Sequence, residues 1–164
     1  MAKEIERKFL VLNDDWRKTA EKGKSFRQGY IATTDGRSLR VRLIDGKKAR
    51  LTIKIGAGTI TRDEFEYDIP YKDGRQLMAS AIGNVLEKTR YEVRHKGFTW
   101  EIDVFSGAHE GLVVAEVELD SEKQIPSFPS WLGREVTGDH RYSNQSLALG
   151  GSLEELPDEL SAEA

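Results

Sequence analysis

Polar and apolar side chains alternate with a period of two along most of this chain. In Glu4-Ile5-Glu6-Arg7-Lys8-Phe9-Leu10-Val11, an extended strand puts Glu4, Glu6 and Lys8 on one face. Ile5, Phe9 and Val11 fall on the other, with Arg7 the exception. The same code returns in Ser38–Ile44, where Leu39, Val41 and Leu43 oppose Ser38, Arg40 and Arg42, and in Ala49–Ile55, where Leu51, Ile53 and Ile55 oppose Arg50, Thr52 and Lys54. It continues through Arg62–Ile69 (Phe65, Tyr67, Ile69 against Glu64, Glu66, Asp68), Glu87–Arg94, Phe98–Phe105 and Leu112–Leu119. Ser25–Thr33, with Phe26, Gln28, Tyr30 and Ile31, reads as a further strand. Thr34-Asp35-Gly36, Asp45-Gly46, Gly56-Ala57-Gly58 and Lys96-Gly97 are turn signals between them.

Helical spacing is sparse. Asn13-Asp14-Asp15 can cap a helix over Trp16–Lys22, closed by Gly23, and Asp73–Ile82 reads as a helix stopped by Gly83. Ser121-x-x-Gln124 has the form of a capping box, Pro126 and Pro129 keep the chain irregular around Phe128 and Trp131, and Ser143–Leu149 reads as a short helix. About eight strands joined mostly by short turns predict a mainly β (α+β) fold: an antiparallel meander closed into an eight-stranded barrel with flanking helices. Residues 1–150 read as one domain, and 151–164 as an acidic C-terminal helix from Ser152 (Leu153, Leu156, Leu160) or a tail.

Composition narrows the function. The 164 residues suffice for a single well-buried core. No cysteine is present, which excludes disulfides and thiolate metal sites. No apolar run is long enough to span a bilayer and the first residues carry no apolar signal, so a cytoplasmic location is expected. A net charge of -3 gives no reason to expect a nucleic-acid partner. A homodimer is compatible with the sequence, but no residue demands one.

The arrangement of charge is the informative feature. Like-sign pairs recur at i and i+2: Glu4/Glu6, Arg40/Arg42, Glu64/Glu66, Lys88/Arg90, Glu101/Asp103 and Glu116/Glu118. Such neighbours lie about 7 Å apart on one face and repel. A solvated surface gains nothing from this repetition, whereas a site that holds both cations and a polyanion does. The reading is a barrel with a polar lumen, in which carboxylates hold a hard cation such as Mg²⁺ or Mn²⁺ and Arg and Lys grip phosphate oxygens. A chain of phosphates matches that lumen.

Glu4-Ile5-Glu6-Arg7-Lys8 resembles the E-x-E-x-K signature of the CYTH superfamily, the triphosphate tunnel metalloenzymes. Leu39-Arg40-Val41-Arg42, Leu51-Thr52-Ile53-Lys54, Glu64-Phe65-Glu66, Glu87-Lys88-Thr89-Arg90, Trp100-Glu101-Ile102-Asp103-Val104-Phe105, Ala115-Glu116-Val117-Glu118 and Val136-Thr137-x-Asp139-x-Arg141-Tyr142-x-Asn144 follow in the family's order. Together they cover residues 3 to about 149, and the chain resembles the compact bacterial members that are inorganic tripolyphosphatases. The resemblance implies an eight-stranded tunnel and metal-dependent hydrolysis of tripolyphosphate to pyrophosphate and phosphate.

It also implies roles. Glu4, Glu6, Glu116 and Glu118 would bind metal, with Glu64 and Glu66 as further candidates. Lys8, Arg40, Arg42, Lys54, Lys88 and Arg90 would bind phosphates, with Arg141 contributing from the closing segment. Asp103 would orient a lysine or arginine. Lys88, its ammonium weakened among other cations, is either the general base for an attacking water or a plain phosphate ligand. Tyr30 would help to position the water. Arg134, His95, His109 and His140 read as surface or loop residues, and Trp16, Trp100 and Trp131 as packing residues. The same tunnel would also suit an adenylyl cyclase, a thiamine or nucleoside triphosphatase, or a non-catalytic polyphosphate-binding module.

Overall fold

The computed structural model describes residues 3–56 and 60–150. Part of the Gly56-Ala57-Gly58 turn and all of the C-terminal helix or tail therefore lie outside the described residues. Nine strands are described: β1 (Lys3–Val11), β2 (Lys24–Thr34), β3 (Arg37–Ile44), β4 (Lys48–Ile55), β5 (Thr61–Ile69), β6 (Ile82–His95), β7 (Phe98–Ser106), β8 (Val113–Glu118) and β9 (Leu132–Glu135). Two α-helices, α1 (Tyr71–Met78) and α2 (Asn144–Leu149), join them.

The strands run in the order β5-β4-β3-β2-β6-β7-β8-β1, and β5 pairs back onto β1 to close an eight-stranded antiparallel barrel. Strand β1 gives one edge to β8, from Glu6 opposite Glu118 to Leu10 opposite Val114. It divides its other edge. Lys3–Ile5 pair with β5, and Phe9 and Val11 pair with β9. The irregular stretch expected around Pro126 and Trp131 thus ends in a ninth strand, held outside the barrel proper. Bidentate hydrogen bonds from Arg7 to Glu135, at 2.8 and 2.7 Å, fasten it.

Three apolar clusters support the barrel. Trp16, Trp100 and Trp131 pack with Phe9, Ile102 and Val117 on the outer face of β1, β7 and β8. Each such side chain contributes roughly 1.5–3 kcal/mol by leaving water. Helix α1 covers Val41, Leu43 and Ala49 with Met78. The third cluster is internal: Leu10, Leu86, Phe105 and Val114 lie two residues along their strands from Lys8, Lys88, Asp103 and Glu116, so they share the lumen face. Tyr30, Tyr142 and Leu147 pack against them. The lumen is therefore polar along one section, and apolar side chains fill the part of it against which α2 packs.

Several local expectations change. The helix expected over Trp16–Lys22 is a short 3-10 turn, Asp15–Thr19, fixed by burial of Trp16. Helix α1 begins after Pro70 and ends at Met78, because Ile82 already pairs with Tyr30 in β6; Gly83 sits inside that strand at φ 66° instead of stopping a helix. Ser121–Gln124 is a turn in which the Gln124 side chain accepts from the Asp120 amide. His109 is buried, its Nε2 2.7 Å from the Leu147 carbonyl oxygen at the end of α2. The outer face of β4 and β5 is not fully covered: Ile55, Phe65 and Tyr67 are exposed.

Candidate active site

Alternation in the strands brings the charged residues into one lumen. Cross-strand register stacks Glu6 against Glu118, Lys8 against Glu116, Glu101 against Glu116 and Arg90 against Asp103. Across β3, β4 and β5, Arg40 lies against Thr52, Arg42 against Arg50 and Lys54 against Glu64. A cavity of about 200 Å³ is lined by Glu4, Glu6, Glu64, Glu66, Glu116, Glu118, Arg40, Arg42, Lys54 and Arg90, together with Arg50, Glu101 and Asn144. Ring order sorts the charges: most carboxyl groups stand on the adjacent strands β5, β1 and β8, and Arg40, Arg42 and Arg90 face them from β3 and β6.

The cavity continues at both ends. Glu6, Lys54 and Asn144 also line a cavity of about 450 Å³, which includes Lys8, Tyr30, Arg37, Arg62 and the Val136–His140 segment. Arg42, Arg50, Arg90 and Glu101 also line one of about 610 Å³, which includes Lys22, Lys24, Lys47 and Lys48. A passage thus runs through the polar section between two basic mouths.

Four of the acids form two hydrogen-bonded pairs, Glu4 with Glu64 and Glu6 with Glu116. Burial pushes Glu64 up to about 8, and its hydrogen bond to Glu4 adds to this. Burial also works to raise Glu4, but that hydrogen bond and the Lys54 ammonium, 3.0 Å away, hold it below the usual carboxylate value. Burial and then the Glu116 carboxylate raise Glu6 well above its ordinary value. Its partner Glu116 is held well below, against burial, by Lys8, the Glu6 hydrogen bond and Arg90. Among the described residues no three carboxyl or imidazole groups converge as a preformed cage.

The cations are held individually. Arg90 makes bidentate hydrogen bonds to Asp103, at 2.7 and 2.9 Å, and also approaches Glu101 and Glu116. The Lys88 ammonium is 2.7 Å from Asp103 and donates to Asn144 Oδ1 at 3.0 Å. Burial brings Lys88 down to about 7; Asp103 opposes this, and Arg90 and Arg42 add to it. Asp103 is depressed despite its burial by Arg90 first and Lys88 second. Arg62 pairs with Glu6 at 3.6 Å. Lys8 donates to the Tyr142 carbonyl at 3.1 Å, tying the closing segment to β1.

Not every candidate reaches the passage. Lys88 and Asp103 line none of the three cavities and are covered by other side chains on the lumen face, with side-chain exposures of 0% and 1%. Arg141 makes a bidentate pair with Asp139 and is also absent from those linings. Conversely, Arg50, Glu101, Arg62, Gln28, Thr52 and Asn144 join the arrangement without having been singled out for a role. Arg50 and Glu101 stand on the alternating charged faces and could have been found there. Gln28 and Thr52 are neutral, and Asn144 arrives through the closing segment, so charge periodicity passes over them.

This barrel is recognised by the family model for the CYTH domain over residues 2–149. The chain belongs to the CYTH domain family. This CYTH domain is 45% identical over 148 residues to a protein named inorganic triphosphatase from Acetivibrio thermocellus, covering 90% of this chain and 94% of that one. It is 40% identical over 154 residues to an inorganic triphosphatase from Nitrosomonas europaea, covering 89% and 97%. A crystal structure titled as an inorganic triphosphatase matches this CYTH domain with a TM-score of 0.65 at 37% identity, over 90% of this chain and 99% of that one. A Pyrococcus furiosus protein shares the fold at 20% identity, with a TM-score of 0.58 over 73% and 80% of the two chains.

Proposed function

We propose that this chain is a divalent-metal-dependent inorganic triphosphatase, which hydrolyses tripolyphosphate to pyrophosphate and phosphate. The observation that carries the reading is the charge-sorted passage, with carboxyl pairs on one wall and Arg40, Arg42 and Arg90 on the other. Relatives named inorganic triphosphatase at 40–45% identity over most of the chain agree with it. CYTH triphosphatases are typically metal-dependent. For a nucleoside substrate, the one aromatic ring lining the wider mouth, Phe26, is already engaged by the guanidiniums of Arg42 and Arg90, 4.5 and 5.0 Å from its centroid.

The donor set fits Mg²⁺ or Mn²⁺. The acids are hard oxygen donors in pairs, and a cation can take the place of each shared proton. Mg²⁺ in particular uses one or two carboxylates and completes its shell with water and substrate phosphates. Glu4, Glu6, Glu116 and Glu118 would hold it, with Glu64 and Glu66 at hand. When bound, such an ion neutralises phosphate oxygens and stabilises the charge that develops in phosphoryl transfer.

The chain's own residues do the rest. Arg40, Arg42, Arg90, Lys54 and Lys8 align the phosphate chain, and their fixed charges need no reorganisation as the transition state forms. Water attacks the terminal phosphorus, the bridging P–O bond breaks, pyrophosphate leaves and the water's proton passes to an acceptor. Tyr30, which lines the same mouth as Lys8, would orient that water. Lys88, covered by other side chains within the lumen, holds Asp103, which holds Arg90.

Phosphate release should be measured from tripolyphosphate, ATP and thiamine triphosphate, with Mg²⁺, Mn²⁺ or EDTA, beside a Glu4→Gln/Glu6→Gln variant. Metal-dependent release that is fastest from tripolyphosphate and lost in the variant is expected. Cyclic AMP and pyrophosphate formed from ATP would move the assignment to a cyclase, and absence of turnover would leave a binding module.

A further inference from the structure

Arg40 and Arg42 are buried, 5% and 6% exposed, and neither forms an ion pair among the described residues. Lys54, Arg62, Lys88 and Arg90, by contrast, each lie against a carboxylate. Neutral oxygens hold both arginines, as the Tyr142 carbonyl holds Lys8. Arg42 Nε donates to Gln28 Oε1 at 3.0 Å, and Arg40 Nη2 donates to Thr52 Oγ1 at 3.3 Å, which in turn donates to Glu66 at 3.4 Å. Gln28 and Thr52 are themselves sealed, at 0% and 1% exposure, and register sets each directly opposite its arginine.

The Gln28 amide orientation is dictated chemically, because turning it would set two N–H donors against the Arg42 Nε–H. Its Nε2 is left buried without a partner. A glutamate there would bind the guanidinium more strongly, and the Arg90–Asp103 pair shows that this fold accommodates a buried guanidinium–carboxylate pair. What the amide and the hydroxyl provide is aim without neutralisation.

We propose that Gln28 and Thr52 are positioning residues, which direct Arg42 and Arg40 at the triphosphate while leaving each guanidinium's charge, both terminal nitrogens of Arg42 and the second terminal nitrogen of Arg40 for phosphate oxygens. The proposal rests on the triphosphatase reading only for its turnover measurement; a binding measurement decides it without turnover.

The test uses calorimetric titration of the full chain with the imido-bridged triphosphate analogue and Mg²⁺, beside steady-state hydrolysis of tripolyphosphate and thermal melting. Gln28→Glu keeps size and acceptor but adds charge. It is expected to weaken analogue binding at least about tenfold and to raise KM in step, with the melting temperature not lowered. Gln28→Met and Thr52→Val remove the acceptor at constant size and should also weaken binding, while Thr52→Ser should restore it. Gln28→Glu binding as tightly as wild type would overturn the charge argument. Gln28→Met and Thr52→Val both binding as wild type would overturn the positioning argument. If Gln28→Glu does not fold, the Met, Val and Ser variants decide.

Discussion

At the scale of single residues, Lys88 combines the greatest concealment with a shifted ammonium. Its ammonium is brought down to about 7 by burial, with Asp103 resisting. Between that value and the ordinary lysine value of 10.5, the folded protein binds fewer protons than the unfolded chain. This group's contribution to stability therefore rises with pH across that window and is lost as pH falls through about 7. The melting temperature of metal-free wild type should climb from pH 7 toward 10 relative to Lys88→Met, and parallel profiles would contradict the shift. In turnover, a lysine that acts by holding Asp103, and through it Arg90, predicts that Lys88→Met raises KM about tenfold and also lowers kcat. A fall in kcat of about 100-fold at unchanged KM would make Lys88 the base instead. Period-two alternation was enough to place Glu4, Glu6, Arg40, Arg42, Arg90 and Glu116 on the lumen face. Depth is a tertiary property, so it could not say that Lys88 is covered by other side chains within the lumen while Arg90 lines the cavity.

At the scale of elements, alternation and turn residues made the eight barrel strands readable to within a few residues. The rest follows from packing. Strand β9 is only four residues long, Leu132–Glu135, and exists because β1 has a free stretch of edge beyond β5. The 3-10 turn at Asp15–Thr19 is set by the slot that receives Trp16. Helix α2 closes the lumen with Leu147 and Ala148 and places Asn144 on Lys88. Its seat depends on Gly83 in β6, which has φ 66° and where a Cβ would meet the Ala148 carbonyl oxygen and the Leu149 side chain. Gly83→Ala should therefore cost about 1–3 kcal/mol in denaturant unfolding. It should also lower turnover by shifting α2 and the Lys88 partner it carries. A melt and a rate both equal to wild type would show that α2 is not locked at this point.

At the scale of the whole molecule, the net charge of -3 conceals a passage whose central lining carries seven carboxyl groups and five cations. A triphosphate alone adds negative charge to a cavity that has no excess of positive charge. A divalent cation alone meets carboxyl groups that must first give up shared protons and that stand beside arginines. The cation offsets part of the charge that the phosphate chain brings, and the phosphate chain helps the carboxyl wall to hold the cation, so each should strengthen the other's binding by the same factor. Thermal melting can read this coupling directly. A ligand at 100 times its Kd stabilises the fold by about 2.7 kcal/mol, which for a chain of this length raises the melting temperature by roughly 5–10 °C. Mg²⁺ with the imido-bridged triphosphate analogue should give a shift of that size, and either one alone a much smaller shift at the same concentration. Glu4→Gln/Glu6→Gln, which lessens the demand for a cation, should let the analogue bind without Mg²⁺ better than wild type does, even as turnover is lost. Equal and additive shifts from the separate ligands would mean that the carboxyl wall and the guanidinium wall act independently, and the charge-sorted passage would then not be the reason that metal and phosphate chain share one site.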